Sequence, residues 1–174
     1  HGAMALYSTL AYKGFFSKDL LNTFGDNGTI LAEHPDPVLP GVEVATGSLG
    51  HGLSVGIGMA LAGRIQKKNY RVYILLSDGE CNEGSVWEAA MFAPSHKLEN
   101  VIAIIDFNKW QATGRSTQVL ALEPLAEKWK SFGWSTYDID GHDLNVMKKR
   151  LNKVPDCSHK PIAIIANTVK GKGI

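Results

Sequence analysis

The chain has 174 residues, a formal net charge of +1, 44% hydrophobic and 20% charged residues, values ordinary for one globular domain with a real core. Near-neutral charge gives no reason to expect nucleic acid or an anionic membrane as partner, and no stretch is long and apolar enough to span a bilayer. No secretory signal is visible, and Cys81 and Cys157 form neither a metal-ligand pattern nor a disulfide framework. Both are expected reduced, in a cytoplasmic protein, with Cys81 serving packing rather than nucleophilic chemistry.

The first residues predict a helix with Met4, Leu6, Tyr7, Leu10 and Ala11 on one apolar face. From Asp26 to Gly47 the composition turns to Gly, Pro, Asn and Asp, a long irregular stretch of the kind that is usually functional. Leu53 to Lys68 reads as a helix, with Gly56, Gly58 and Gly63 permitting close packing against a sheet. Strand and helix then alternate: strand 70–77, helix 84–96, strand 100–107, helix 123–132, strand 135–139, a helix opening after Asp143, and strand 162–166. That order predicts an α/β fold, a parallel sheet flanked by helices. The apolar runs Val72-Tyr73-Ile74-Leu75-Leu76 and Val101-Ile102-Ala103-Ile104-Ile105 read as buried parallel strands.

Those two runs end in chemistry. The first leads into Ser77-Asp78-Gly79-Glu80, and the second, thirty residues on, into Asn108. Strand carboxyl ends are where open α/β sheets bind ligands. A carboxylate and an amide oxygen converging there suit a hard cation such as Mg²⁺, which takes oxygen ligands and shares them with phosphate and water. Gly79 lets a phosphate approach the backbone without a Cβ in the way. The plainer alternative is that Asp78-Gly79 is a turn and Asn108 a strand cap. Asp106, two residues before Asn108, should face the same sheet edge. A competing fingerprint, Gly50-x-Gly52-x-x-x-Gly56 with Asp78 further on, approaches a dinucleotide-binding pattern. The residues before Gly50 read poorly as a strand, and that reading leaves Asn108 unexplained.

Asp78-Gly79 followed by Asn108 resembles the thiamine diphosphate motif, Gly-Asp-Gly through Asn, with Ser77 in place of the first Gly. The turn and helix from Asp78 to Ala90, the loop Gly47-Ser48-Leu49-Gly50-His51-Gly52, and the histidine motifs at His1-Gly2-Ala3-Met4 and Glu33-His34-Pro35-Asp36 resemble transketolases in the order that family carries them. The resemblance implies a chain that is the diphosphate-binding domain, residues 1–174, with the pyrimidine-binding domain absent from it. It implies thiamine diphosphate and Mg²⁺ (or Ca²⁺ or Mn²⁺) as cofactors, and transfer of a two-carbon ketol unit from a ketose phosphate to an aldose. It also implies dependence on a pyrimidine-binding domain or subunit, in a dimer or heterotetramer. By the same resemblance Asp78, Asn108 and the Trp110 carbonyl hold the metal. Gly47, Leu49, His51, Gly79 and Glu88 meet the cofactor, and the charge of Lys170 attracts the diphosphate or is simply solvated. His1, His34 and Glu83 take part in catalysis, the histidines by holding hydroxyls and moving protons. Glu83 has an equally good reading as a helix-start residue favoured by the dipole. Another thiamine diphosphate enzyme (a deoxyxylulose phosphate synthase or a keto-acid dehydrogenase component) and a non-catalytic cofactor-binding module stay open as alternatives.

Overall fold

A computed structural model of the chain describes residues 2–173. Two compact units divide it, His1–Leu49 and Gly50–Ile174. In the first, helix α1 (Ala3–Tyr12) buries Ala3, Tyr7, Leu10 and Ala11. Met4 and Leu6, expected on the packed face, are 41% and 38% exposed; the buried set keeps the i, i+4, i+7, i+8 spacing of one helical face. A 3-10 helix, Lys18–Thr23, follows, and the rest is loop closed over Tyr7, Leu31 and Leu39. The Tyr7 hydroxyl donates to the Ala32 carbonyl at 2.7 Å, which ties the long Gly- and Pro-rich stretch to the helix.

The second unit is a four-stranded parallel sheet, with β1 (Val72–Ser77), β2 (Val101–Phe107), β3 (Ser135–Asp140) and β4 (Ile162–Asn167) in the order β1-β2-β4-β3. Helices α2 (Gly52–Ile65), α3 (Gly84–Ser95) and α5 (Leu125–Ser131) cover one face, over a core that includes Leu53, Leu76, Ile105, Trp129 and Ala163. Helix α6 (Leu144–Leu151) covers the other, over Ile102, Ile162 and Ile164. A one-turn helix α4 (Ser116–Val119) follows β2. Asp143 caps α6 by accepting from the amides of Asn145 and Val146, which explains why the helix opens there.

Two expectations change. β2 and β4 are buried on both faces, but β1 is an edge strand with Tyr73 48% and Leu75 71% exposed. Its apolar run therefore packs on one face only. Of the three glycines expected to admit close packing, Gly56 does so, since a Cβ there would lie 2.4 Å from Ile74 Cγ1. Gly58 has nothing within 4 Å of that position, so it faces away. No described helix is long and apolar enough to cross a membrane.

Candidate cofactor and metal site

β1 and β2 lie side by side with Ser77 paired to Asp106, so the residues that follow each strand emerge at one edge of the sheet. After β1 the chain closes a 3-10 turn, Gly79–Asn82. Asp78, at its start, is wholly buried, and both carboxylate oxygens accept hydrogen bonds while Oδ1 keeps acceptor capacity. Oδ1 accepts from the Gly79 amide at 2.9 Å; Oδ2 accepts from the Lys109 amide at 2.7 Å and the Ser116 hydroxyl at 3.0 Å. The Lys109 bond decides the geometry, because Lys109 lies between Asn108 and Trp110.

The Asn108 amide is oriented from both ends. Its Nδ2 donates to Asp106 Oδ2 at 3.2 Å, and its Oδ1 accepts from the Trp110 amide at 2.9 Å. Asp106 is held in turn by the Thr168 hydroxyl. Beyond Asn108 the segment folds back as a narrow loop. The Gln111 amide reaches the Gly114 carbonyl at 2.7 Å and the Ser116 amide reaches the Lys109 carbonyl at 3.0 Å. Among the described residues no hydrogen bond falls on the Trp110 carbonyl oxygen. The exposed Arg115 guanidinium lies 4.7 Å from the Trp110 ring centre and the Lys170 ammonium 5.9 Å, both cation–π distances.

Burial is the main reason the Asp78 carboxyl titrates above its ordinary range, and the neighbouring Asp106 charge adds to it. The bonds from Ser116, Gly79 and Lys109 pull the other way. A buried carboxylate beside a second one is stabilised by a cation. Among the described residues no group of three His, Cys, Asp or Glu side chains is placed to hold a metal. A metal here would draw instead on one carboxylate, one amide oxygen and one carbonyl, a hard-oxygen set that suits Mg²⁺ shared with a diphosphate. Gly79 is half-buried with an ordinary φ, and a Cβ on it would meet only Gln111, at 3.6 Å. Neither backbone conformation nor close internal packing demands glycine there. The Gly79 amide, expected as a free phosphate donor, is engaged by Asp78 and would have to exchange that partner.

The remaining expected residues spread over both units. His1 lies outside the described residues. His34, in the first unit, packs against Gly47, where φ is +133° and a Cβ would lie 2.8 Å from the imidazole Cγ. Leu49 is 38% exposed. In the second unit His51 is the exposed N-cap residue of α2. Glu83 is the exposed N-cap residue of α3 without a side-chain capping bond, and Glu88 is exposed one turn on. Cys81 is fully buried; burial first, then the Glu80 and Asp78 charges, push its thiol far up, which makes it inert packing. Sequence reasoning passed over Ser116, Glu80 and Ser85, whose roles are hydrogen bonds made from loops and helix starts without any periodic signal. The dinucleotide reading falls, because no described residue before Gly50 is in a strand.

A sequence model of transketolase, thiamine diphosphate binding domain, matches residues 1–174. The chain belongs to the transketolase family. It is 43% identical over 174 residues to an apulose-4-phosphate transketolase subunit of Phocaeicola vulgatus, covering 100% of this chain and 62% of that protein. It is 42% identical over 174 residues to the 6-deoxy-6-sulfo-D-fructose transketolase subunit SqwG of a Clostridium species, covering 99% and 63%. The chain thus spans under two thirds of these relatives. Among solved structures it resembles transketolase from Campylobacter jejuni with a TM-score of 0.87 and 32% identity, over 94% of this chain and 27% of that one. It resembles transketolase from Leishmania mexicana with a TM-score of 0.88 and 27% identity, over 97% and 27%. The parallel sheet with helices on both faces is the thiamine diphosphate-binding α/β fold of those enzymes.

Proposed function

We propose that residues 1–174 form the diphosphate-binding domain of a transketolase that moves a two-carbon ketol unit from a ketose phosphate to an aldose. The observation that carries this reading is the 2.7 Å bond from the Lys109 amide to the buried Asp78 carboxylate. It supports Asp78, Asn108 and the Trp110 carbonyl as one oxygen set at the sheet edge, suited to Mg²⁺. Thiamine diphosphate, when bound, supplies the nucleophilic carbon for breaking and remaking the carbon–carbon bond.

The residues of this chain then hold and orient. Asp78 neutralises the cation that shields the diphosphate from the acidic edge, and Gly79 leaves room for it. Lys170 adds positive charge beside Trp110. His1 and His34 bind sugar hydroxyls and pass protons at neutral pH, while Glu83 and Glu88 face a partner domain that brings the pyrimidine-binding half. Two curated relatives named as transketolase subunits support a partner of that kind, in a dimer or heterotetramer. Both cysteines are free, which suits a cytoplasmic enzyme.

The test is a donor comparison in the complex with a pyrimidine-binding partner. A site built to hydrogen-bond the hydroxyls of a ketose rejects pyruvate, which lacks them. Ketose phosphate is expected to give the higher kcat/KM by orders of magnitude. A preference for pyruvate would move the protein to another branch of thiamine diphosphate enzymes. No transfer with any donor, despite bound cofactor, would leave a binding module.

A further inference from the structure

We infer that Glu80 and Ser85 form a two-point clamp on Gly50 that positions His51 for the cofactor, a role that rests on the cofactor reading above. Glu80 is a carboxylate only 8% exposed, and no part of the proposed chemistry uses it. Its Oε1 accepts from the Gly50 amide at 3.0 Å, and the Ser85 hydroxyl donates to the Gly50 carbonyl at 2.8 Å. Both polar groups of one residue are therefore taken by side chains from the turn after β1 and the first turn of α3.

Gly50 is held in a conformation that glycine alone adopts readily. Its φ is +85°, and a Cβ would lie 2.5 Å from Ser85 Oγ and 2.8 Å from Glu83 Cβ. The left-handed turn is thus pressed against the groups that bind it. Directly after it, His51 caps the 14-residue helix α2, and its carbonyl accepts from Val55 at 3.0 Å. The Glu80 carboxylate oxygen is 3.8 Å from where a Cβ on Gly52 would be. It therefore lies at the amino end of α2, where the helix dipole favours negative charge. His51 sits between a clamped peptide and a helix start, so its backbone has little freedom left. The same turn that carries Asp78 thereby also holds the backbone from which His51 projects.

The test separates the clamp from its use. In cofactor-free protein, Glu80→Ala is expected to speed hydrogen exchange at the Gly50 amide about tenfold or more, the loss of one protecting acceptor. Glu80→Gln, which keeps an oxygen acceptor, is expected to restore protection. Thiamine diphosphate titrations of the complex with a pyrimidine-binding partner, at saturating Mg²⁺, are expected to show affinity about tenfold weaker in Glu80→Ala, weaker to a lesser degree in Ser85→Ala, and within about twofold of wild type in Glu80→Gln. Ser85→Ala keeps the buried carboxylate in place and serves where Glu80→Ala folds poorly. Unchanged exchange at Gly50 in both alanine variants would overturn the clamp. Faster exchange with unchanged affinity would overturn the positioning role. Failure of the wild-type complex with a pyrimidine-binding partner to bind thiamine diphosphate would sink the cofactor reading, and the positioning role with it, while the exchange result still judges the clamp.

Discussion

Replacing Asp78 by alanine tests stability and cofactor binding at once, and the two effects separate by magnitude. Three donors converge on this carboxylate, the amides of Gly79 and Lys109 and the hydroxyl of Ser116. A buried donor left without a partner costs about 1–3 kcal/mol. Water entering the vacated space can serve the half-buried Gly79 amide and the Lys109 amide, whereas Ser116 is only 3% exposed. Relief from burying a charge offsets part of the loss, which leaves a net cost of about 1–2 kcal/mol. The variant should still fold, but less stably than a simple ligand deletion implies. For binding, removing a group that merely orients a metal ligand costs about 10–100-fold, so losing the proposed anionic ligand itself should cost about 100-fold or more. Urea unfolding followed at constant m reads the first effect, and a tryptophan-fluorescence titration of the complex with a pyrimidine-binding partner, with thiamine diphosphate at saturating Mg²⁺, reads the second. Asp78→Asn restores one oxygen acceptor without the charge, and should recover part of the stability but little of the affinity. Wild-type affinity in Asp78→Asn would refute the metal assignment, and an unchanged urea midpoint in Asp78→Ala would refute the hydrogen-bond network.

Three further outcomes follow from the same geometry. Asp156 accepts from Ser135 Oγ at 2.6 Å, Tyr137 Oη at 2.7 Å and the Ser158 amide at 2.9 Å, and also from the Ser158 hydroxyl. Burial raises its pKa but these bonds outweigh it and hold the group well below the usual carboxylate range. Its contribution is therefore present above the unfolded value of about 3.9 and lost as pH falls from there toward the folded value. Asp156→Asn should lose about 1–3 kcal/mol at pH 7, with the gap to wild type narrowing below about pH 4 in pH-dependent urea melts. Gly50→Ala places a side chain at positive φ against Ser85, and should cost more than about 1 kcal/mol by the same melts. His34→Ala should lose most ketose activity while cofactor affinity changes less than about twofold, because the proposed metal and diphosphate contacts lie elsewhere; parallel kinetics and titrations check it, and an unaffected variant would make His34 a loop residue.

The sequence foretold the strands at 101–107 and 162–167 well because each is buried on both faces and so reads as an unbroken apolar run. The run at 72–76 looks the same yet lies at the sheet edge. Among the described residues β1 pairs only with β2, while β4 inserts between β2 and β3 and makes β3 the other edge, and no local pattern encodes which strands pair across dozens of residues. The carboxyl-end logic located Asp78 and Asn108, and the role of Asp106 became plain only with its bonds to Asn108 and Thr168. Ser116 was illegible because it is one polar residue in a polar loop, and only the fold carries it to Asp78. The one-turn helix at 116–119 and both 3-10 segments were likewise too short to leave a period.

The contrast between the two thiols gives the protein a built-in chemical clock. Cys157 is exposed whereas Cys81 is buried within the turn that follows Asp78. An alkylating reagent should therefore modify one sulfur at once and the second only when that turn opens. The rate of the slow phase would report how often the proposed cofactor edge breathes, and a ligand that fastens the edge would slow it without any change to the first.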